Sequence, residues 1–225
     1  MREPVDTAEL NVVLKLGEFR PWVESLCERY KNPEWNDHFV AKRGLTNRIQ
    51  GELIPLALLC FHLTPLRSNS HLKYFPGSTQ SFDAQMLSAD HSVEEVLEVT
   101  LACDGYRDSI AGEYLKKHGW APLWIPLEYS GRKNSREIPL PVIRSMSTDQ
   151  IIEDGLTLVR NAVDAKSVSG KYENTSLVVG FEDFRLRNID FEYARNALLG
   201  IKSTFQVIYY VGLGGRFFAT QRAGA

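Results

Sequence analysis

Two apolar runs that follow each other closely constrain the fold of this chain more than any other part of its sequence. They are 81–87 (SFDAQML) and 93–102 (VEEVLEVTLA), with a short polar turn between them. Their composition predicts two neighbouring β-strands, each with one acid that points inwards among small or apolar neighbours, Asp83 and Glu98. A buried strand rarely carries a carboxylate without a partner, so these two acids are candidate functional residues.

The rest of the pattern indicates one layered domain, an α/β (α+β layered) fold with a mixed central sheet. Adjacent strands come first and helices alternate with strands later, which argues against a doubly wound sheet. The predicted elements, in order, are a helix over 46–63, strands over 71–75, 81–87 and 93–102, a helix over 105–118, a strand over 121–131, a helix over 149–166, a strand over 176–183, a helix over 190–199 and a hairpin over 205–220.

The chain is expected to form a single domain over 1–225. Residues 1–40 are interpreted as an N-terminal helical embellishment, with two short helices over 7–30 broken near Gly17 and Pro21 and a loop over 31–38. Residues 130–225 are interpreted as a C-terminal extension of the same sheet and helices.

Composition excludes some classes of protein and leaves others open. The formal charge of −2 argues against a surface made throughout to coat nucleic acid, although local basic clusters remain. No apolar run has the roughly 18 residues that a membrane span needs, so no membrane association is expected. The three cysteines are far apart and are expected to be reduced thiols in the cytoplasm. No phosphate-binding loop, zinc-type spacing or nucleophile elbow is present.

The two acids and their surroundings resemble a known pattern. An acid on one strand (Asp83), then the triplet Glu98-Val99-Thr100 on the next, with a helix before and a helix and strand after, resembles the PD-(D/E)XK restriction-endonuclease-like superfamily. The resemblance covers about 46–129, which would be the nuclease-like core. It implies a restriction-endonuclease-like core in the order α-β-β-β-α-β and hydrolysis of phosphodiester bonds in DNA.

The resemblance also implies a metal site. Asp83 and Glu98 would hold Mg²⁺ (or Mn²⁺) together with the main-chain carbonyl of Val99, and Glu52 on the preceding helix matches an acid that some members add. Thr100 stands where the family has a lysine, and Ser81-Phe82 replaces the proline before the first acid. Threonine can bind a water but carries no positive charge. Lys73, on the preceding strand, is the candidate lysine that would take this place.

DNA is the expected partner, and a nuclease that cuts both strands of a duplex implies a homodimer. Such an enzyme would act in phage defence, phage biology or the maintenance of mobile elements. Tyr106 and Glu113 would lie beside the site. The residues expected to contact nucleic acid are basic and clustered: Arg107, Lys116, Lys117, Arg132, Lys133 and Arg136.

Three interpretations stay open at this point. The chain is a metal-dependent nuclease, or a catalytically inactive member of the same fold that binds nucleic acid or a protein, or an unrelated α/β scaffold. In the last case Asp83 and Glu98 are ordinary hydrogen-bonded or solvated residues.

Overall fold

The computed structural model describes residues 3–40, 44–77, 80–119, 147–167, 172, 174–184 and 186–222. The helices are α1 (Thr7–Leu10), α2 (Leu16–Arg29), α3 (Pro33–Val40), α4 (Leu45–Arg48), a π-helical turn (Ile49–Leu53), α5 (Ile54–Leu63), α6 (Gly105–His118), α7 (Thr148–Ser167), a 3₁₀ turn (Asn188–Asp190) and α8 (Phe191–Leu199). The strands are β1 (Val13–Lys15), β2 (His71–Tyr74), β3 (Ala84–Leu87), β4 (Val93–Ala102), β5 (Ser176–Phe181), β6 (Val207–Gly212) and β7 (Phe218–Arg222).

The described strands form one seven-stranded mixed sheet whose spatial order follows the chain, β1 to β7. Strands β1 to β4 are antiparallel neighbours, β4, β5 and β6 are parallel, and β7 returns antiparallel to β6. The predicted fold class, an α+β layered domain with a mixed sheet, is confirmed.

Two apolar clusters cover the sheet from opposite sides. The first joins α2, the π-helical turn and α5 to one face of β2, β3 and β4, around residues such as Phe19, Leu56 and Leu97. The second joins α7 and α8 to the other face of β5 and β6, around Val159 and Tyr210. The crossovers β4–α7–β5 and β5–α8–β6 join parallel strands that follow one another in the same direction across the sheet. Because such crossovers share one handedness, both helices lie on the same face of the sheet.

The N-terminal region differs from its prediction. The short strand β1 was not expected. Two helices are present over 7–30, but α2 runs through Gly17 and Pro21, so the predicted break near these residues is wrong. Buried Phe19 and Val23 lie on either side of Pro21 at helical spacing, and their packing on α5 and the sheet outweighs the lost N–H donor. The predicted loop over 31–38 is also wrong, because Pro33 begins helix α3.

The helix predicted over 46–63 is present, but it begins one residue earlier and is not regular. The sequence favours Thr46 or Asn47 as the N-cap of this helix, but Gly44, with a φ of 59°, takes that position before α4. The sequence also indicates that Pro55 kinks or restarts the helix. A π-helical turn precedes the proline, which occupies the first turn of α5, where its missing N–H costs little.

The later elements agree closely with the sequence. Strand β4 and helix α6 have their predicted bounds, and Gly119, with a φ of 75°, ends α6 as expected. The strand predicted over 121–131 lies outside the described residues. The strand that pairs in parallel with β4 is β5, which α7 precedes.

None of the helices in the described ranges combines the length and the apolar character that a membrane crossing requires.

Candidate functional site

Asp83 lies at the point where β3 begins and where its regular pairing with β4 ends. The last regular pair joins Ala84 and Leu97. Beyond it, the Asp83 main-chain N–H donates to the Leu97 carbonyl, and the Val99 N–H donates to the Asp83 carboxylate at 2.8 Å. The Asp83 side chain therefore accepts the hydrogen bond from Val99 that a main-chain carbonyl would accept if the two strands continued to pair. In an extended strand a residue's N–H and C=O point to the same side, so the Val99 carbonyl is directed towards this end of β3 as well.

Glu98 is buried on β4, with its side chain only 7% exposed, and its partner lies on helix α7. The Lys166 ammonium, in the last turn of α7, donates to the Glu98 carboxylate at 2.5 Å. Burial lowers the pKa of Lys166, but the hydrogen bond and charge of Glu98 outweigh this effect and the net pKa lies above its ordinary value. Lys166 also lies over the ring of Tyr172, with its Nζ 5.4 Å from the centroid.

Glu52 approaches the same region from the π-helical turn. Its carboxylate accepts a short hydrogen bond from the buried Tyr74 hydroxyl, and the Arg48 guanidinium lies 4.0 Å away. Burial and the neighbouring Glu52 raise the pKa of Tyr74, so this hydroxyl remains a donor. The extra residue of a π-helical turn changes the direction of the side chains that follow it, and such turns are frequent at functional sites.

The carboxylates of Glu98 and Glu52 therefore both act on Asp83 at this end of β3. The pKa of Asp83 is raised from 3.8 to about 7, first by burial and then by the negative charges of Glu98 and Glu52. The Val99 N–H and the Lys166 charge act in the opposite direction but do not cancel the shift. Asp83 and Glu98 are thus close enough for the Glu98 charge to act on the Asp83 carboxyl.

The raised pKa of Asp83 makes stability depend on pH. Because the native state binds this proton more tightly than the unfolded chain, the stabilisation is complete below the unfolded value of 3.8 and is lost as pH rises towards about 7. Between about pH 5 and about pH 8, the free energy of unfolding should fall by roughly 2 kcal/mol. Urea unfolding at several pH values measures this slope.

Asp83→Asn is the matched variant, since an asparagine Oδ1 can still accept from the Val99 N–H but does not titrate. It should flatten the pH dependence and make the protein more stable than the wild type at about pH 8. An equal slope in the variant and the wild type would show that Asp83 is not the group responsible.

The other predicted site residues are distributed differently. Thr100 is half-buried on β4 opposite Val179 of β5. Lys73 points its ammonium over the ring of Phe75, 4.9 Å from the centroid. Among the described residues, the lysine that reaches a site carboxylate is therefore Lys166, not the expected Lys73.

Lys166 escaped the sequence analysis because it is 68 positions from Glu98. One signal was available. The helix over 149–166 carries a regular apolar stripe, and a lysine at its end, close to a fully buried strand, is well placed to extend over the edge of a core.

The residues expected to contact nucleic acid fall into two groups. Lys116 and Lys117 are exposed in the last turn of α6, as is Glu113 one turn earlier. The side chains of Tyr106 and Arg107, and the whole of Arg132, Lys133 and Arg136, lie outside the described residues. Tyr209, whose aromatic ring could have stacked a base, is buried and donates to Glu95, which identifies it as a core residue.

The donors at this site suit a hard divalent cation only in part. Two carboxylates and a main-chain carbonyl are oxygen ligands of the kind that Mg²⁺ binds. The raised pKa of Asp83 indicates negative charge that Lys166 alone does not neutralise. Among the described residues, however, no group of three or more His, Cys, Asp or Glu side chains is arranged to hold a metal ion. The fit therefore rests on Asp83, Glu98 and the Val99 carbonyl.

Comparisons of the chain with protein-family models, with curated proteins and with solved structures gave no match, so its function has to be argued from the site itself.

Proposed function

We propose that this chain is a metal-dependent nuclease that hydrolyses phosphodiester bonds of DNA. The observation that carries the proposal is the convergence of Asp83, Glu98 and Lys166 from two neighbouring strands and a packed helix. Two acids and one lysine are the side chains that the resemblance to PD-(D/E)XK nucleases implies, and Lys166 supplies the lysine that Thr100 does not.

The order of the elements supports the same proposal. Helix α5 precedes the antiparallel strands β2, β3 and β4, and α7 then leads to β5, which is parallel to β4. This is an α-β-β-β-α-β order in which α7 and β5 provide the last two elements. Helix α6 and the segment after it are then an insertion between β4 and α7.

Each residue has a specific task in this proposal. Asp83, Glu98 and the Val99 carbonyl would hold Mg²⁺ or Mn²⁺. When bound, such an ion polarises a phosphate and lowers the pKa of a water. Lys166 provides a positive charge beside Glu98, where a negatively charged phosphate must approach. The Thr100 hydroxyl can orient a water by a hydrogen bond, and Glu52 adds negative charge from the π-helical turn.

The experiment that tests the proposal combines binding and cleavage. Calorimetric titration with Mn²⁺ should reveal one site that Glu98→Ala abolishes, and the wild type should nick supercoiled plasmid in Mg²⁺ or Mn²⁺ but not in EDTA. Glu153→Ala, on the exposed side of α7, is the control that should leave both properties intact. Nicking that persists in Glu98→Ala would remove the assignment.

A binding module without catalysis is the second candidate. It is favoured by Thr100 in place of the lysine and by the absence, in the described part of the chain, of a metal-binding group of three side chains. Binding of DNA with no metal site and no nicking would support this alternative. Cleavage of both strands of a duplex would need a second copy of the chain, because one such site cuts one strand at a time.

A further inference from the structure

The sheet has an open area beside the candidate site. On the α7 side, the second apolar cluster includes residues of β4, β5 and β6 but, among the described residues, none of β1, β2 or β3. The buried Leu72 and Tyr74 of β2 face the opposite cluster. Their neighbours along the strand must therefore point to the α7 side, whereas α7 packs on β4 and β5 and α8 packs on β7.

This area, which we call the open face, is polar, basic and partly aromatic. The pairing of β1, β2 and β3 aligns Val13, Lys73 and Gln85 in one row and Lys15, His71 and the buried Leu87 in the next. Val13 and Lys15 are exposed, and Lys73, Gln85 and His71 are half-buried.

Its two lysines are available to a ligand. In the described part of the chain, neither Lys15 nor Lys73 forms an ion pair with a carboxylate, whereas Lys31, Arg29 and Arg67 all do. The Lys73 ammonium lies instead over the half-buried Phe75 ring. This contact also shows that Phe75 extends the same face one step beyond the end of β2.

Phe75 connects the open face to Asp83. Its N–H donates to the Asp83 carbonyl at 2.9 Å, and its ring meets that of Phe82 edge-on, with centroids 5.3 Å apart and planes at 87°. Both rings are half-buried. An aromatic surface thus lies directly beside a candidate metal ligand, flanked by a lysine.

We propose that the open face binds single-stranded nucleic acid, with a base stacked at Phe75 and the phosphates beside Lys73 and Lys15. This inference rests on the proposed function and specifies its substrate as a strand with unpaired bases next to the cleaved bond. Unpaired lysines complement a phosphate backbone, and a half-exposed ring offers a surface on which any base can stack. Because Asp83 and Glu98 repel phosphates, binding should be stronger when a divalent cation is present.

The test measures fluorescence anisotropy of a labelled oligothymidylate in Ca²⁺, at several salt concentrations. Phe75→Leu, which keeps the apolar bulk but removes the ring, should weaken binding about fivefold or more without changing the salt dependence. Lys73→Ala should weaken binding and reduce the slope of log affinity against log salt by about 0.7. The different effects on the slope separate stacking from charge.

Two matched controls lie on the opposite layer. Phe61→Leu removes an exposed ring on α5 that, like Phe75, lies under a cation, and Lys31→Ala removes an exposed lysine at the end of α2. Both should bind the oligonucleotide like the wild type. Circular dichroism and thermal melting establish that all four variants are folded.

The outcomes separate this inference from the proposed function. Wild-type affinity in both open-face variants, or equal competition by dextran sulfate or by fully paired duplex, would overturn the open face as a site for unpaired strands, even if the protein nicks DNA. Binding that depends on Phe75 and Lys73 in a protein that never nicks would overturn the nuclease and leave the open face standing.

Discussion

Replacing Lys166 with methionine is expected to lower metal-dependent nicking about 100-fold or more, because a positively charged donor is lost where charge develops during phosphodiester cleavage. Thr100 cannot compensate, since its hydroxyl carries no charge. Affinity for Mn²⁺ should not fall and should even rise, since the ammonium no longer competes for Glu98. Nicking of supercoiled plasmid and calorimetric titration of the same protein give the two values.

A loss of nicking together with an unchanged or higher Mn²⁺ affinity distinguishes a role of Lys166 in the reaction from a role in folding. Loss of the ammonium leaves a buried carboxylate without its partner, which costs about 1–3 kcal/mol that bound Mn²⁺ should recover. Lys202→Met, at an exposed position, is the control and should retain full activity. Equal losses of Mn²⁺ affinity and nicking in Lys166→Met would assign the lysine to structural support of Glu98.

Replacing Asp183 with alanine is expected to destabilise the fold by roughly 3–5 kcal/mol. The fully buried carboxylate of Asp183 accepts hydrogen bonds from the main-chain N–H groups of Gly214, Arg216 and Phe217, in and after the turn between β6 and β7. Alanine would leave these donors unsatisfied, and each such group costs about 1–3 kcal/mol when buried.

The structure explains why the effect should be large and local. A Cβ at Gly212 would lie 2.2 Å from the Asp183 carboxylate, so the turn and the acid fit together closely. The Arg216 guanidinium also donates to the Asp183 carbonyl at 2.9 Å. Guanidinium chloride unfolding gives the free energy, with the exposed Asp164→Ala as control. A loss below about 1 kcal/mol in Asp183→Ala would mean that water satisfies the three donors.

Local patterns gave reliable predictions where a strand or helix carries its own signal. The alternating run of β4 and the glycine-terminated α6 were located with their bounds, and the largely apolar β5 begins at its predicted residue. Strand β1 was missed because its three residues, which are exposed or half-buried, lie within the region that was predicted to be helical. Its place in the sheet is decided by pairing with β2.

The candidate site was predictable only in the part that lies on neighbouring strands. Asp83 and Glu98 are close in sequence, and the turn between β3 and β4 forces their strands together, so their proximity follows from local pattern. The lysine depends on how α7 packs across β4, which no local spacing encodes. Lys73 was the natural candidate because it is close to Asp83 in the sequence, but its ammonium lies over the ring of Phe75.

The parallel pairing of β4 with β5 has a consequence for the order of assembly. Strands β2, β3 and β4 can pair through short hairpins. Pairing of β4 with β5 requires the ends of a much longer loop to meet and should therefore come later. On the ribosome, Asp83 and Glu98 emerge well before Lys166 and β5. The newly synthesised meander of β2, β3 and β4 would therefore carry its two acids without the Lys166 counter-charge until α7 and β5 have been made.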